Sequence, residues 1–123
     1  MARILIVDDE NIIVTVLKES LSRLGYDVLT ASDGEQALRL VEDGNIDLLI
    51  TDIVMPNMNG IELLAELKTK APALKVIAIS NGSEHKGPGE YLRQAKETGV
   101  TRYLIKPFML KELSAMVQEL LAE

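Results

Sequence analysis

The chain has 123 residues, 47% of them hydrophobic, and carries a net charge of −6. That size and apolar content predict one domain, residues 1–123, with a single packed core, and exclude a disordered chain. The negative balance argues against a direct grip on nucleic-acid phosphates. The absence of cysteine excludes disulfides and thiolate chemistry, and a lone His85 argues against a histidine-rich zinc site.

From the first residues the pattern alternates strand and helix. Residues 3–8 read as a short buried strand rich in Ile and Val, entered directly from Met1-Ala2-Arg3 with no signal-peptide layout. Residues 11–24 predict a helix with Ile13, Leu17, Leu21 and Leu24 on one face, stopped by Gly25. Its opening, Asn11-Ile12-Ile13-Val14, has poor helix propensity. A second strand follows at 26–30. Ser32-Asp33-Gly34-Glu35 reads as a capping box opening a helix through Val41, with Gly44 past its end. Residues 47–51 predict the third strand, and Asn59-Gly60-Ile61-Glu62 opens a helix to about Lys70. The fourth strand is predicted at 74–79, followed by a glycine-rich loop from Ser80 to Gly89 and a helix from Pro88 to about Thr98. Residues 101–105 predict strand five. After Pro107, the residues Leu110, Leu113, Val117, Leu120 and Leu121 mark a last amphipathic helix. No apolar run is long enough to span a bilayer, so a cytoplasmic domain without membrane insertion is expected.

Five βα units in one short chain imply an α/β fold, a parallel sheet with helices on both faces. For the flavodoxin-like order 2-1-3-4-5, the topological switch lies between strands one and three, and ligands bind at the carboxyl ends of the strands there. Asp8 and Asp9 end the first strand, and Asp52 ends the third. A carboxylate at the end of a buried strand costs solvation energy unless something compensates for it. Acid delivered by two adjacent strands to one sheet edge points to a cation site with a chemically poised aspartate.

With these residues in place, the sequence resembles a two-component response-regulator receiver domain of the chemotaxis type. The match covers nearly the whole chain. The landmarks are the acidic pair Asp8-Asp9; Asp52 within Leu49-Ile50-Thr51-Asp52-Ile53-Val54-Met55-Pro56; Gly60; Ser80; Tyr103; and Lys106 followed by Pro107 and Phe108. Six such landmarks in order are far more specific than any one of them.

The resemblance implies a switch that catalyses only its own phosphorylation and dephosphorylation. Asp52 would accept a phosphoryl group from a phosphohistidine on a histidine kinase or a histidine phosphotransfer protein, forming an acyl phosphate. Mg²⁺, a hard ion that favours oxygen ligands, would be held by Asp8, Asp9, Asp52 and the backbone carbonyl of Val54. Lys106 would offer a positive charge to the phosphoryl oxygens, and the Lys106–Pro107 bond would be cis. Ser80 would donate a hydrogen bond to the phosphoryl group, and Tyr103 would turn inward behind it. The surface made by the helix after strand four, strand five and the last helix would change shape. It would then engage an output partner or a fused effector domain, as a monomer or a phosphorylation-dependent dimer.

Each role stands against a plainer alternative. Asp9-Glu10 also suits the positive end of the following helix. Ser80 begins a loop, Tyr103 fits a half-buried aromatic of an edge strand, and His85 fits a solvated loop residue. Two positions depart from the family pattern. Asn81 stands where a small residue is usual, and Val54 is apolar, which predicts slow access of hydrolytic water and a long-lived phosphoaspartate. A flavin-binding reading fails on Asp8-Asp9-Glu10, which would repel a phosphate. A haloacid-dehalogenase-like phosphohydrolase would need a second acid two residues after its nucleophile, where Val54 stands.

Overall fold

The computed structural model describes residues 2–52, 60–81 and 100–122, without the side chains of Gly60, Ile61, Ser80 and Asn81. The strands are β1 (Arg3–Val7), β2 (Asp27–Ala31), β3 (Leu48–Asp52), β4 (Lys75–Asn81) and β5 (Arg102–Lys106). The helices among the described residues are α1 (Asn11–Arg23), α2 (Gly34–Glu42), α3 (Gly60–Lys70) and α4 (Leu110–Leu121). The helix expected at 88–98, the loop before it with His85, and Val54 lie outside the described residues.

The five strands form one parallel sheet in the order β2-β1-β3-β4-β5, as the alternation of elements predicts. Their side chains alternate between two cores. Leu5, Val7, Leu49, Val76 and Ala78 pack with Leu63, Leu64 and Leu67 of α3 and Ala37 of α2. Ile4, Ile6, Leu48, Ile50, Ile77, Ile79 and Leu104 pack with Leu17 and Leu21 of α1 and with Leu113, Val117 and Leu120 of α4. The sheet is therefore covered on both faces, which explains why its central strands read as unbroken apolar runs.

Three local readings are refined by the structure. Leu24, expected on the inner face of α1, is the C-cap residue and is exposed, while Tyr26 packs against the core instead. The first turn of α1 forms despite its β-branched residues because Ile13 and Val14 pack against the sheet, and tertiary burial outweighs propensity there. The cap of α2 is Asp33, not Ser32. Asp33 Oδ1 accepts the Gln36 backbone N–H at 2.9 Å, and Gln36 Oε1 accepts the Ser32 N–H at 3.2 Å. The chain leaves α1 and α2 through Gly25 (φ +96°) and Gly44 (φ +88°), in the left-handed conformation that glycine adopts without strain. At the far end of α4, Lys75 Nζ donates to the carbonyl of Leu120, which also accepts a backbone N–H at the helix C-cap.

Candidate functional site

The period-two rows that build the α1/α4 core end in charge. Ile4 and Ile6 lead to Asp8, Leu48 and Ile50 to Asp52, and Leu104 to Lys106. The core pattern therefore continues past its last apolar layer into a polar layer at the carboxyl edge of the sheet. The β1–β2 pairing reaches one residue further, since the Asp8 N–H donates to the carbonyl of Ala31 at 3.3 Å. Asp52 is the last residue of β3, opposite Ile79, and Lys106 is the last of β5, opposite Asn81. Beside Asp52, the buried Thr51 hydroxyl donates to the Asp52 carbonyl at 2.9 Å.

β5 is two strands from β3, roughly 10 Å at the usual strand spacing. A side chain on β5 must be long to reach Asp52, and Lys106 is long enough. Its Nζ donates to Asp52 Oδ2 at 3.2 Å, Asp8 Oδ2 at 3.3 Å and Glu10 Oε1 at 3.0 Å. Asp8 and Asp52 are buried, while Glu10 is half-exposed. The other oxygen of Asp8 accepts the Glu10 N–H at 2.9 Å, which folds the chain back at the start of α1. The Lys106–Pro107 bond is cis.

Burial pushes the Asp8 carboxyl above its ordinary value, against the Glu10 N–H and the Lys106 charge, which pull it down. Desolvation opposes the charge on Lys106, yet its contacts with Glu10, Asp52 and Asp8 outweigh that and raise it well above the usual lysine range. These contacts favour the charged form of Lys106, and among the described residues one cation faces three carboxylates. Ligand oxygens of Asp8, Glu10 and Asp52 all lie within 4.8 Å of one another. Two carboxylates at that separation repel by on the order of 3–4 kcal/mol at an effective dielectric of about 20. Such an oxygen-only cluster with excess negative charge fits a hard divalent cation such as Mg²⁺.

Residues 4–118 match the family model for the response regulator receiver domain. The chain belongs to this family. The receiver is 41% identical over 120 residues to the DNA-binding transcriptional regulator NtrC of Azospirillum brasilense, covering 98% of this chain and 24% of that protein. It is 38% identical over 119 residues to the alkaline phosphatase synthesis transcriptional regulatory protein PhoP of Bacillus subtilis, covering 97% of this chain and 48% of that protein. The chain thus spans half or less of these relatives. Among solved structures, it superposes on a CheY-like receiver domain protein from Methanospirillum hungatei with a TM-score of 0.91 and 30% identity, covering 99% of this chain and 94% of the other.

Within the receiver, Asp8 and Asp52 meet as their strand-end positions imply, and Lys106 joins them as the resemblance implies. Asp9 is exposed beside them and stands outside the cluster of mutually close oxygens. Ser80 is the penultimate residue of β4, opposite Ile105, and its side chain is outside the described residues. Tyr103 faces the opposite side of β5 from Leu104 and Lys106 and is exposed together with Ile105. Glu10 is the member for which the sequence left both readings open, the acidic site and the charged helix start. Its partner is 96 residues away in the chain, so only the acidic run Asp8-Asp9-Glu10 hinted at it. Next to the cluster, Ile12, Ile13 and Val16 of α1 and Pro107, Phe108 and Leu110 line an apolar groove of about 490 Å³. Ile12 and Met109 at this end are strongly exposed.

Proposed function

We propose that residues 1–123 form one phosphoacceptor switch in which Asp52 receives a phosphoryl group from a phosphohistidine. An Asp52 carboxylate oxygen attacks phosphorus as the P–N bond to the donor imidazole breaks, and the leaving nitrogen recovers a proton. The product is an acyl phosphate on Asp52. Asp8, Asp9, Asp52 and the Val54 carbonyl are the ligands we assign to Mg²⁺. When bound, the ion neutralises charge between the anionic carboxylate and the anionic phosphoryl group. Lys106 offsets the Asp52 charge beforehand and then donates to the phosphoryl oxygens. Ser80 donates a further hydrogen bond, and Tyr103 turns inward behind it, altering the surface around β5 and α4.

The observation that carries this reading is the contact of Lys106 Nζ with both buried acids, Asp8 and Asp52. A lysine drawn across two strands to a pair of strand-end carboxylates has no role in packing the core. The donor is a histidine kinase or a histidine phosphotransfer protein, and the groove between α1 and the start of α4 supports docking beside Asp52. The relatives are named as transcriptional regulators, which favours an output through a partner or attached domain that binds DNA. No described helix is long and apolar enough to cross a membrane, and the lack of cysteine suits the cytoplasm, where we place the switch.

The test is intact-mass analysis after incubation with acetyl phosphate and Mg²⁺. Wild type is expected to gain one phosphoryl group that is lost in hydroxylamine, and Asp52→Asn to gain none. Equal incorporation by Asp52→Asn would refute the assignment.

A further inference from the structure

The three acids that share Lys106 are not equivalent. An ammonium has three N–H donors, and the three contacts use them at 3.0, 3.2 and 3.3 Å, with Glu10 the shortest. The Glu10 side chain is 53% exposed, against 7% for Asp52 and 2% for Asp8. Glu10 occupies the N-cap of α1 yet makes no side-chain cap hydrogen bond, so its carboxylate is not committed to the helix end. A cation bound between Asp8 and Asp52 competes with the ammonium for the same two oxygens and repels it. When Lys106 leaves those oxygens, Glu10 is the one partner of the three that stays available at the rim.

We propose that Glu10 is a positioning residue that retains Lys106 at the edge of the site while a divalent cation takes the oxygens of Asp8 and Asp52. The ammonium then stays within reach of an incoming phosphoryl group. This rests on the magnesium reading above. Without the Glu10 carboxylate, the acids left to Lys106 among the described residues are the metal's own ligands, and the cation must drive it into water. Removing a half-exposed ion pair of this kind should weaken Mg²⁺ binding by roughly two- to fivefold.

A double-mutant cycle on the full chain separates action through Lys106 from simple loss of negative charge. The Mg²⁺ dissociation constant is measured by calorimetric titration for wild type, Glu10→Gln, Lys106→Met and the double variant, with far-UV circular dichroism reporting the fold. Lys106→Gln serves as a second neutral background should Lys106→Met unfold. Glu10→Gln is expected to weaken binding in the Lys106 background and to change nothing when the ammonium is gone. Equal losses in both backgrounds would make Glu10 a direct ligand or a plain charge and overturn the proposal, as would unchanged affinity in Glu10→Gln. Independently of the neutral backgrounds, the NMR shift of the Lys106 ε-methylene should differ between wild type and Glu10→Gln at saturating Mg²⁺, and a difference that collapses there also overturns it. A wild type that binds no Mg²⁺ overturns the functional reading and this proposal together, whereas binding with a background-independent Glu10 effect overturns this proposal alone.

Discussion

At the scale of single residues, Asp8 carries the clearest cost. Burial raises its carboxyl above the ordinary value of 3.8, so the folded state holds this proton more tightly than the unfolded state does. Stability from this group therefore falls as pH rises from 3.8 through the folded value, and the penalty is complete above it. In magnesium-free buffer, Asp8→Asn is expected to melt higher than wild type at pH 7, with the advantage shrinking as pH falls towards 3.8. Thermal melts across that range check it, and a variant that melts lower at pH 7 would count against the burial argument. Asp8 and Asp52 were legible in the sequence because each closes the apolar run of a strand, whereas Lys106, next to Pro107, was legible only through the resemblance to the receiver family. Glu10 was not, since nothing local separates an acid that charges a helix start from one that reaches a lysine on another strand. Ser80 carries the coupling in the proposed switch. Phosphorylated Ser80→Ala should keep the phosphoryl group measurable but bind an output partner more weakly than the phosphorylated wild type, and equal binding would remove Ser80 from the coupling.

At the scale of elements, strand and helix identities among the described residues followed from periodicity, while the ends depended on chemistry that periodicity does not see. The start of α2 is an instance. Ser32 and Glu35 have the spacing of a capping box, but so do Asp33 and Gln36, and the extended backbone at Asp33 settles which pair is used. Asp33→Ala should destabilise the chain by about 1 kcal/mol, the usual cost of losing an N-cap. Ser32→Ala, which keeps the Ser32 backbone N–H to Gln36, should stay within about 0.5 kcal/mol of wild type. Urea midpoints for the two variants decide it, and a reversed order would restore the reading from spacing alone. The last helix was legible in the same limited way. Leu113, Val117 and Leu120 are buried as their spacing predicts, whereas Leu110 faces the groove beside Phe108 and is part of a surface and not of the core.

For the whole molecule, the decisive relation is between the two cores and the polar layer that caps one of them. The α1/α4 core shares its rows with Asp8, Asp52 and Lys106, so the charged layer continues the same strand rows, whose ends are fixed by sheet pairing. A cation that binds this layer only in the folded state must stabilise the whole chain by mass action, by about 2.7 kcal/mol at a hundredfold excess over its dissociation constant. Wild type should therefore melt higher as Mg²⁺ is added, and Asp8→Asn, already relieved of one buried charge but short of a ligand, should respond little. Leu113→Ala lies in the same core but below the polar layer. It should cost about 2–5 kcal/mol while leaving the increment from Mg²⁺ intact in the folded population, because the strand ends are set by sheet pairing and not by that helix contact. Melting each variant with and without Mg²⁺ separates the two effects. If Leu113→Ala lost the metal increment in proportion to its stability, the site would be held in place by helix packing, and the strand-end origin of its geometry would have to be abandoned.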